Sequence, residues 1–385
     1  MTPTSPRSRL LLAGAVSASA LALLAAAAVP SAAAPRPDDG WDVRLLGEHV
    51  VAPGQSVDGM PIGELSGLDY DRRRDRWYLI ADDTEVAPAR FFSADIEVDR
   101  SGLRDVEFTD ATALLRRDGT PFPSLSSPDD EVADPESIRV APLTGTLYWS
   151  SEGRRLLPEE GEGGEALLTD PWVRQATVDG RYVRQFGLPS VLEMTDRAWG
   201  PRTNAVFEGL SFSADGRQVV TSMEGPLHQD GPEAAPGVET ATRLTWFDAL
   251  TGWPVRQAAY PVDPISGNGV VELLAVDRHR YLVLERSYSP ETGNSIRLYE
   301  VDVPGATDVL RRDSLADGRP YRPVDKRLVV DFADLGLAKV DNIEGMGWGP
   351  RLGRGERALV FVSDDNLNPT QITQVVALAV RGGRR

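Results

Sequence analysis

Five short segments of the chain place a polar residue before a small and then a large apolar one, with one exception to the small position. They are Ser66-Gly67-Leu68, Glu136-Ser137-Ile138, Glu208-Gly209-Leu210, Glu272-Leu273-Leu274 and Glu344-Gly345-Met346. Their first residues lie 70, 72, 64 and 72 positions apart. Each segment is followed by a turn and a second apolar run that ends on an acid: Asp82 with Asp83, Glu152, Glu224, Glu285, and Asp364 with Asp365. In the first three repeats the return distance is 16 residues. If each pair of runs is an antiparallel hairpin, the acid that opens one strand meets the acid that closes the other at a single edge. About ten carboxylates would then gather at one mouth. Hard oxygen ligands without thiols suit Ca²⁺ or Mg²⁺ better than zinc. The candidate ligands are Glu136, Glu152, Glu208, Glu224, Glu344 and Asp364, and calcium is the expected cation. Without a cation, packed carboxylates repel one another and their pKa values rise. The competing reading is that several of these acids only cap backbone amides of a neighbouring repeat.

Other chemistries find less material. There is no cysteine, which removes thiol nucleophiles, disulfides and thiolate metal sites. Only His49, His228 and His279 are present, and no Gly-x-Ser-x-Gly elbow occurs, so a Ser-His-Asp triad has little support. The 41 basic residues against 58 acidic ones give a net charge of −17, a surface that repels nucleic-acid phosphates. An anionic substrate would need a cation or a local arginine to reverse the sign. Arg286, next to Glu285, is the best arginine for that, because a guanidinium grips phosphate through two parallel hydrogen bonds. An ion pair with a carboxylate of a neighbouring repeat is the alternative use of Arg286. Asn342, Asn366 and Asn368 stand beside the last acids and could ligate metal, orient water or bond their own turns.

The elements that must position these residues are strands. Runs such as Trp77-Tyr78-Leu79-Ile80 and Leu147-Tyr148-Trp149-Ser150 alternate with turn signals such as Asp179-Gly180 and Asp215-Gly216. About four strands fit each repeat: 64–71, 76–82, 89–98 and 103–114 in the first, for example. A repeat of this length and strand content predicts an all-β fold, a single β-propeller whose innermost strands line a central channel. Five blades is the count the repeats support; six would require one blade without the acidic signature. The last repeat offers only three strands, so residues 41–51 are expected to complete it and close the ring. Upstream, Arg7 and Arg9 precede an apolar run over residues 10–29 and the small residues Ser31-Ala32-Ala33-Ala34, the pattern of a secretory signal. The expected division is a signal peptide over 1–34 and one propeller domain over 35–385. Loss of Arg7 and Arg9 takes the charge from −17 to −19. The expected product is secreted, monomeric and free of the membrane.

The motifs Leu65-Ser66-Gly67-Leu68-Asp69-Tyr70-Asp71, Asp134-Pro135-Glu136-Ser137-Ile138, Ser150-Ser151-Glu152-Gly153, Phe207-Glu208-Gly209-Leu210, Leu284-Glu285-Arg286-Ser287, Asp341-Asn342-Ile343-Glu344-Gly345-Met346 and Ser363-Asp364-Asp365-Asn366 recur in order. Through them the chain resembles the phytase-like family described as having esterase-like activity of phytase, over roughly residues 41–380. Glu136-Ser137 departs from the Glu-Gly that the family more often carries. The resemblance implies a secreted propeller acting on phosphate esters. On that expectation the metal-binding carboxylates are joined by Glu208 and Glu285 as catalytic groups, with Arg286 steadying developing charge. The alternatives are a non-catalytic secreted propeller with a structural cation that binds a ligand or cell-envelope partner, and a lactonase-like metal-dependent hydrolase.

Overall fold

A computed structural model describes residues 40–158 and 164–382. The expected signal peptide, residues 1–34, lies outside the described residues. The described chain is built almost wholly of strands, with three single-turn 3₁₀ segments and no α-helix among the described residues. No helix there is long and apolar enough to cross a membrane.

Five four-stranded antiparallel sheets follow one another around a ring. Blade one contains Leu65–Asp71, Arg76–Ala81, Arg90–Asp99 and Gly102–Ala113. Blade two contains Pro135–Val140, Leu147–Ser151, Trp172–Ala176 and Tyr182–Gln185. Blade three contains Phe207–Phe212, Gln218–Met223, Thr240–Asp248 and Pro254–Val262. Blade four contains Gly269–Ala275, Arg280–Ser289, Gly293–Asp302 and Asp325–Asp331. Blade five contains Asn342–Gly353, Glu356–Asp364 and Gln374–Gly382 and takes its outer strand, Trp41–Val50, from the other end of the chain. Trp41 pairs with Gly382 and Val50 with Gln374, so the ring is closed by the N-terminal strand as its sequence position requires.

The count of five follows from where the apolar side chains go. Each strand turns alternate residues to its two faces, and both faces of an interior blade meet another blade. Five core clusters fill the five junctions. Leu68, Leu79 and Phe92 meet Val360 and Val375 between blades one and five, and Ile80 and Phe91 meet Ile138 and Trp149 between one and two. Tyr148 and Phe186 meet Phe207 and Phe247, Trp246 meets Tyr281, and Leu284 meets Met346 and Phe361 across the remaining three.

At the axis the innermost strands crowd together, which explains the small residue in the repeated motif. A Cβ added to Gly67 would lie 2.7 Å from the Glu136 carbonyl oxygen, and one added to Gly209 would lie 2.6 Å from the Leu273 amide nitrogen. Both distances are below any real contact. Below the mouth the channel is filled by a buried ion pair: Arg139 Nη2 lies 2.6 Å from Glu272 Oε2. Arg139 Nη1 donates to the Leu68 carbonyl at 2.8 Å, Nη2 to that of Met346 at 3.1 Å, and the Leu210 amide donates to Glu272 Oε1 at 3.0 Å. One pair thus ties all five blades at the axis. Removing either partner would strand the other charge without water.

Candidate metal and active site at the channel mouth

Each inner strand carries a bulge where it enters the ring. The register slips between Leu65 and Gly67, Pro135 and Ile138, Phe207 and Leu210, Val270 and Glu272, and Ile343 and Gly345. In four blades a polar residue of the motif sits in that bulge: Ser66, Glu136, Glu208 and Glu344. A bulge adds an unpaired residue and re-aims its side chain, here into the mouth. On the returning strand, the residue just after the partner of the pair before the bulge is Asp82, Glu152, Glu224 or Asp364; the first three lie beyond the last pair, and Asp364 still pairs with Asn342. The amides of Asp82, Glu152 and Glu224 donate to the carbonyls of Glu64, Asp134 and Val206 at 3.0, 3.0 and 2.8 Å, which fixes these positions as equivalent.

Blade four departs from the sequence expectation by one residue. Val270 pairs with Glu285 and Gly269 with Arg286, so the bulge position belongs to Val271 and the returning position to Arg286. Because side chains alternate faces, a slip of one residue exchanges mouth for interior. Glu272 therefore points into the channel toward Arg139. Glu285, expected at the mouth as a catalytic group, is 1% exposed and faces away from it. Its Oε1 accepts from Tyr260 Oη at 2.7 Å and from Lys326 Nζ, and its Oε2 accepts from Asn268 Nδ2 at 2.7 Å. Glu285 is thus part of the bond between blades three and four.

The mouth itself is a cavity of about 660 Å³ lined by Asp82, Asp134, Glu136, Glu208, Glu344, Asp364 and Arg286, among others. Glu152 and Glu224 stand behind Glu208, with oxygens of the three within 4.8 Å of one another. Three further triads meet the same limit: Asp82–Glu136–Glu344, Asp134–Glu136–Glu152 and Glu64–Asp364–Asp365. Arg286 replaces a carboxylate with the guanidinium that the alternative reading anticipated: its Nη2 lies 3.2 Å from Glu224 Oε1 and 3.1 Å from Glu344 Oε1. Asn342 Nδ2 donates to Glu344 and Asp364 at 3.0 Å each, positioning both. The Asn366 amide donates to Asp364 at 2.8 Å, and the Asn368 side chain accepts from Thr370 within its own turn.

Burial, and then the neighbouring carboxylates, push Asp82, Glu136 and Glu208 well above the ordinary carboxylate range. Glu152 is pushed the same way, first by burial and then by Asp134 and Glu224. Burial raises Asp134 to about 7, and burial with the Glu344 charge raises Asp364 to about 8. Glu224 and Glu344 are also raised by burial, against which Arg286 acts as a counter-charge. Burial alone would lower the Arg286 guanidinium, but Glu344, Glu224 and Glu208 outweigh it and raise it.

Some carboxylates do cap neighbouring blades. The Val206 amide donates to Glu152 Oε1 at 2.5 Å, and the Glu64 amide donates to Asp365 Oδ1 at 3.1 Å. Glu152 is 2% exposed, and its other oxygen, Oε2, has no hydrogen-bond partner. Asp82 Oδ1 is likewise buried and unpartnered. Asp134 and Glu64 were absent from the sequence-derived ligand set. Their signal was present, since they stand two residues before Glu136 and Ser66, where Asn342 stands before Glu344. His228 lies in a single-turn 3₁₀ segment and does not line the cavity.

Several solved structures are similar in outline. The catalytic domain of the Coprinopsis cinerea GH62 α-L-arabinofuranosidase is 9% identical, covers 89% of this chain and 97% of its own, and superposes with a TM-score of 0.43. A gluconolactonase, XC5397 from Xanthomonas campestris, is 11% identical, with coverages of 89% and 96% and a TM-score of 0.36. The fructofuranosidase of Schwanniomyces occidentalis, complexed with fructose, is 12% identical, with coverages of 82% and 56% and a TM-score of 0.42. At such scores the likenesses carry no functional argument. No curated protein sequence matches the chain. A family model does, over residues 60–367, from just before the first blade to the turn after Asp364. The repeats that build the acidic mouth are therefore those of a known family, and the chain belongs to the Phytase-like family, described as esterase-like activity of phytase.

Proposed function

We propose that the chain is a divalent-metal-dependent hydrolase of phosphate esters that works at this mouth, with calcium as the cation and export as the setting. The observation that carries the reading is a charge imbalance. Arg286 pairs with Glu224 and Glu344, while Asp82, Asp134, Glu136 and Glu152 have no cationic partner among the described residues. Unit charges about 5 Å apart repel by about 3 kcal/mol at an effective dielectric near 20. Oxygen-rich, thiol-free surroundings fit a hard cation, and the unpartnered Oε2 of Glu152 is a ligand atom without a bond.

A bound cation in such a site polarises a phosphoryl oxygen and acidifies water. The chain's own residues supply the rest. Asp82, Asp134, Glu136, Glu152 and Glu344 would hold the metal. Glu208, at the cavity wall, is placed to take a proton from an attacking water. Arg286, fixed by two carboxylates, holds positive charge at the wall where negative charge develops on the substrate. A structural cation in a non-catalytic propeller is the second reading, favoured by the cap that Glu152 gives the Val206 amide.

Turnover of an aryl phosphate and of a lactone, before and after chelation, separates the readings. The hydrolase reading expects phosphatase turnover that chelator abolishes and calcium restores. It also expects Glu208→Gln to lower kcat by about 10²-fold or more, the range for a lost general base, while calcium still raises the melting temperature. Calcium that protects against unfolding without any turnover would favour the structural reading.

A further inference from the structure

We infer that the mouth holds two divalent cations bridged by the carboxylate of Glu136, an inference that rests on the metal-site reading above and extends it. Two triads share Glu136: Asp82–Glu136–Glu344 on the side of blades one and five, and Asp134–Glu136–Glu152 within blade two. An acidic cluster alone would not suffice, but each triad contains a buried oxygen left without a partner. In the first it is Asp82 Oδ1; in the second it is Oε2 of Glu152, which is 2% exposed. Burying such an atom unbonded costs free energy that a cation would recover.

The remaining ligands have an oxygen to spare as well. Glu344 accepts from Asn342 and pairs with Arg286 on one and the same oxygen, Oε1. Glu152 accepts the Val206 amide on Oε1. The carboxylates of Asp134 and Glu136 accept no hydrogen bond among the described residues. Glu136 therefore has two oxygens available and is shared by both triads, which is the requirement for a bridging carboxylate.

The other two acidic clusters are less suited. In Glu152–Glu208–Glu224, the Arg286 guanidinium acts on two of the three members, pairing with Glu224 and attracting Glu208. A resident cation is already in place there. In Glu64–Asp364–Asp365 the oxygens are engaged: Glu64 accepts from the Leu367 amide, Asp365 from the Glu64 amide and Thr373 Oγ1, and Asp364 from the Asn366 amide and Asn342. That cluster seals the junction of the first and last blades.

Manganese(II) tests the bridge because electron paramagnetic resonance distinguishes a coupled pair from isolated ions. The protein would be stripped with chelator, reloaded with manganese(II) chloride and freed of excess metal by gel filtration. The expected result is two manganese ions retained per chain, with an exchange-coupled spectrum in place of the hyperfine pattern of isolated ions. Glu136→Gln should lower the retained metal by at least half and leave only the isolated-ion spectrum, with an unchanged far-ultraviolet circular dichroism spectrum as the check on folding. If that variant does not fold, the wild-type spectrum decides. One ion per chain, or two without coupling, overturns the bridged pair while leaving the metal-site reading intact. No retained manganese overturns both.

Discussion

At the scale of single residues, Arg286 and Glu285 show how one position decides chemistry. They are adjacent, yet one lines the mouth and the other is sealed between blades three and four. Arg286 is the tethered cation of the ring, set against Glu224 and Glu344 at 3.2 and 3.1 Å. Replacing it with glutamine removes the positive charge and leaves the buried Glu344 and the partly buried Glu224 uncompensated. Breaking a buried pair in this way costs about 3–5 kcal/mol. Arg286→Gln should therefore lower the melting temperature of the chelator-treated protein, and calcium should recover most of the loss by compensating the same carboxylates. A loss that calcium leaves unchanged would show that Arg286 is needed for packing and not for charge balance.

At the scale of elements, the strand Trp41–Val50 is the test of closure. It pairs along its length with Gln374–Gly382, and the Trp41 indole donates to Glu300 at 2.7 Å, binding it to blade four as well. Without it, Gln374–Gly382 would become an exposed edge rich in valine and alanine, open to pairing with another chain. A chain beginning near Ser56 should melt at a lower temperature than one beginning at residue 35 and should aggregate on heating, as differential scanning calorimetry with light scattering would show. An undiminished midpoint would mean that the outer strand adds nothing to the ring.

At the scale of the whole molecule, the acidic mouth sets a pH dependence that metal should remove. Asp134 is raised to about 7, and Glu64 and Asp364 to about 8, in each case first by burial. A carboxyl group whose pKa is raised on folding holds more protons folded than unfolded. Stability then falls as pH rises from the unfolded value near 4 through the folded one. The metal-free protein should thus melt at a higher temperature at pH 5 than at pH 8, and saturating calcium should flatten or reverse the slope. A metal-free midpoint that rises over that interval would show that these carboxylates are compensated by something other than protons.

Much of this molecule could be read from the chain alone, for a physical reason. Strand alternation, turn residues and a repeat near 70 positions are local or periodic signals, and together they led to an all-β ring of five blades closed by its N-terminal strand. The acids of blades one, two, three and five were legible because their hairpins keep nearly the same register. Blade four was not, because the short spacing from Glu208 to Glu272 disguised a shift of one residue. Only the pairing of Gly269 with Arg286 showed that Val271 and Arg286 take the ring positions and that Glu272 and Glu285 leave them. Which charges are compensated was also decided by the tertiary structure alone. Arg286, Glu224 and Glu344 come from two blades besides its own, and Arg139 meets Glu272 across 133 positions of sequence. No local signal records such a meeting, because it arises only when five sheets converge on one axis.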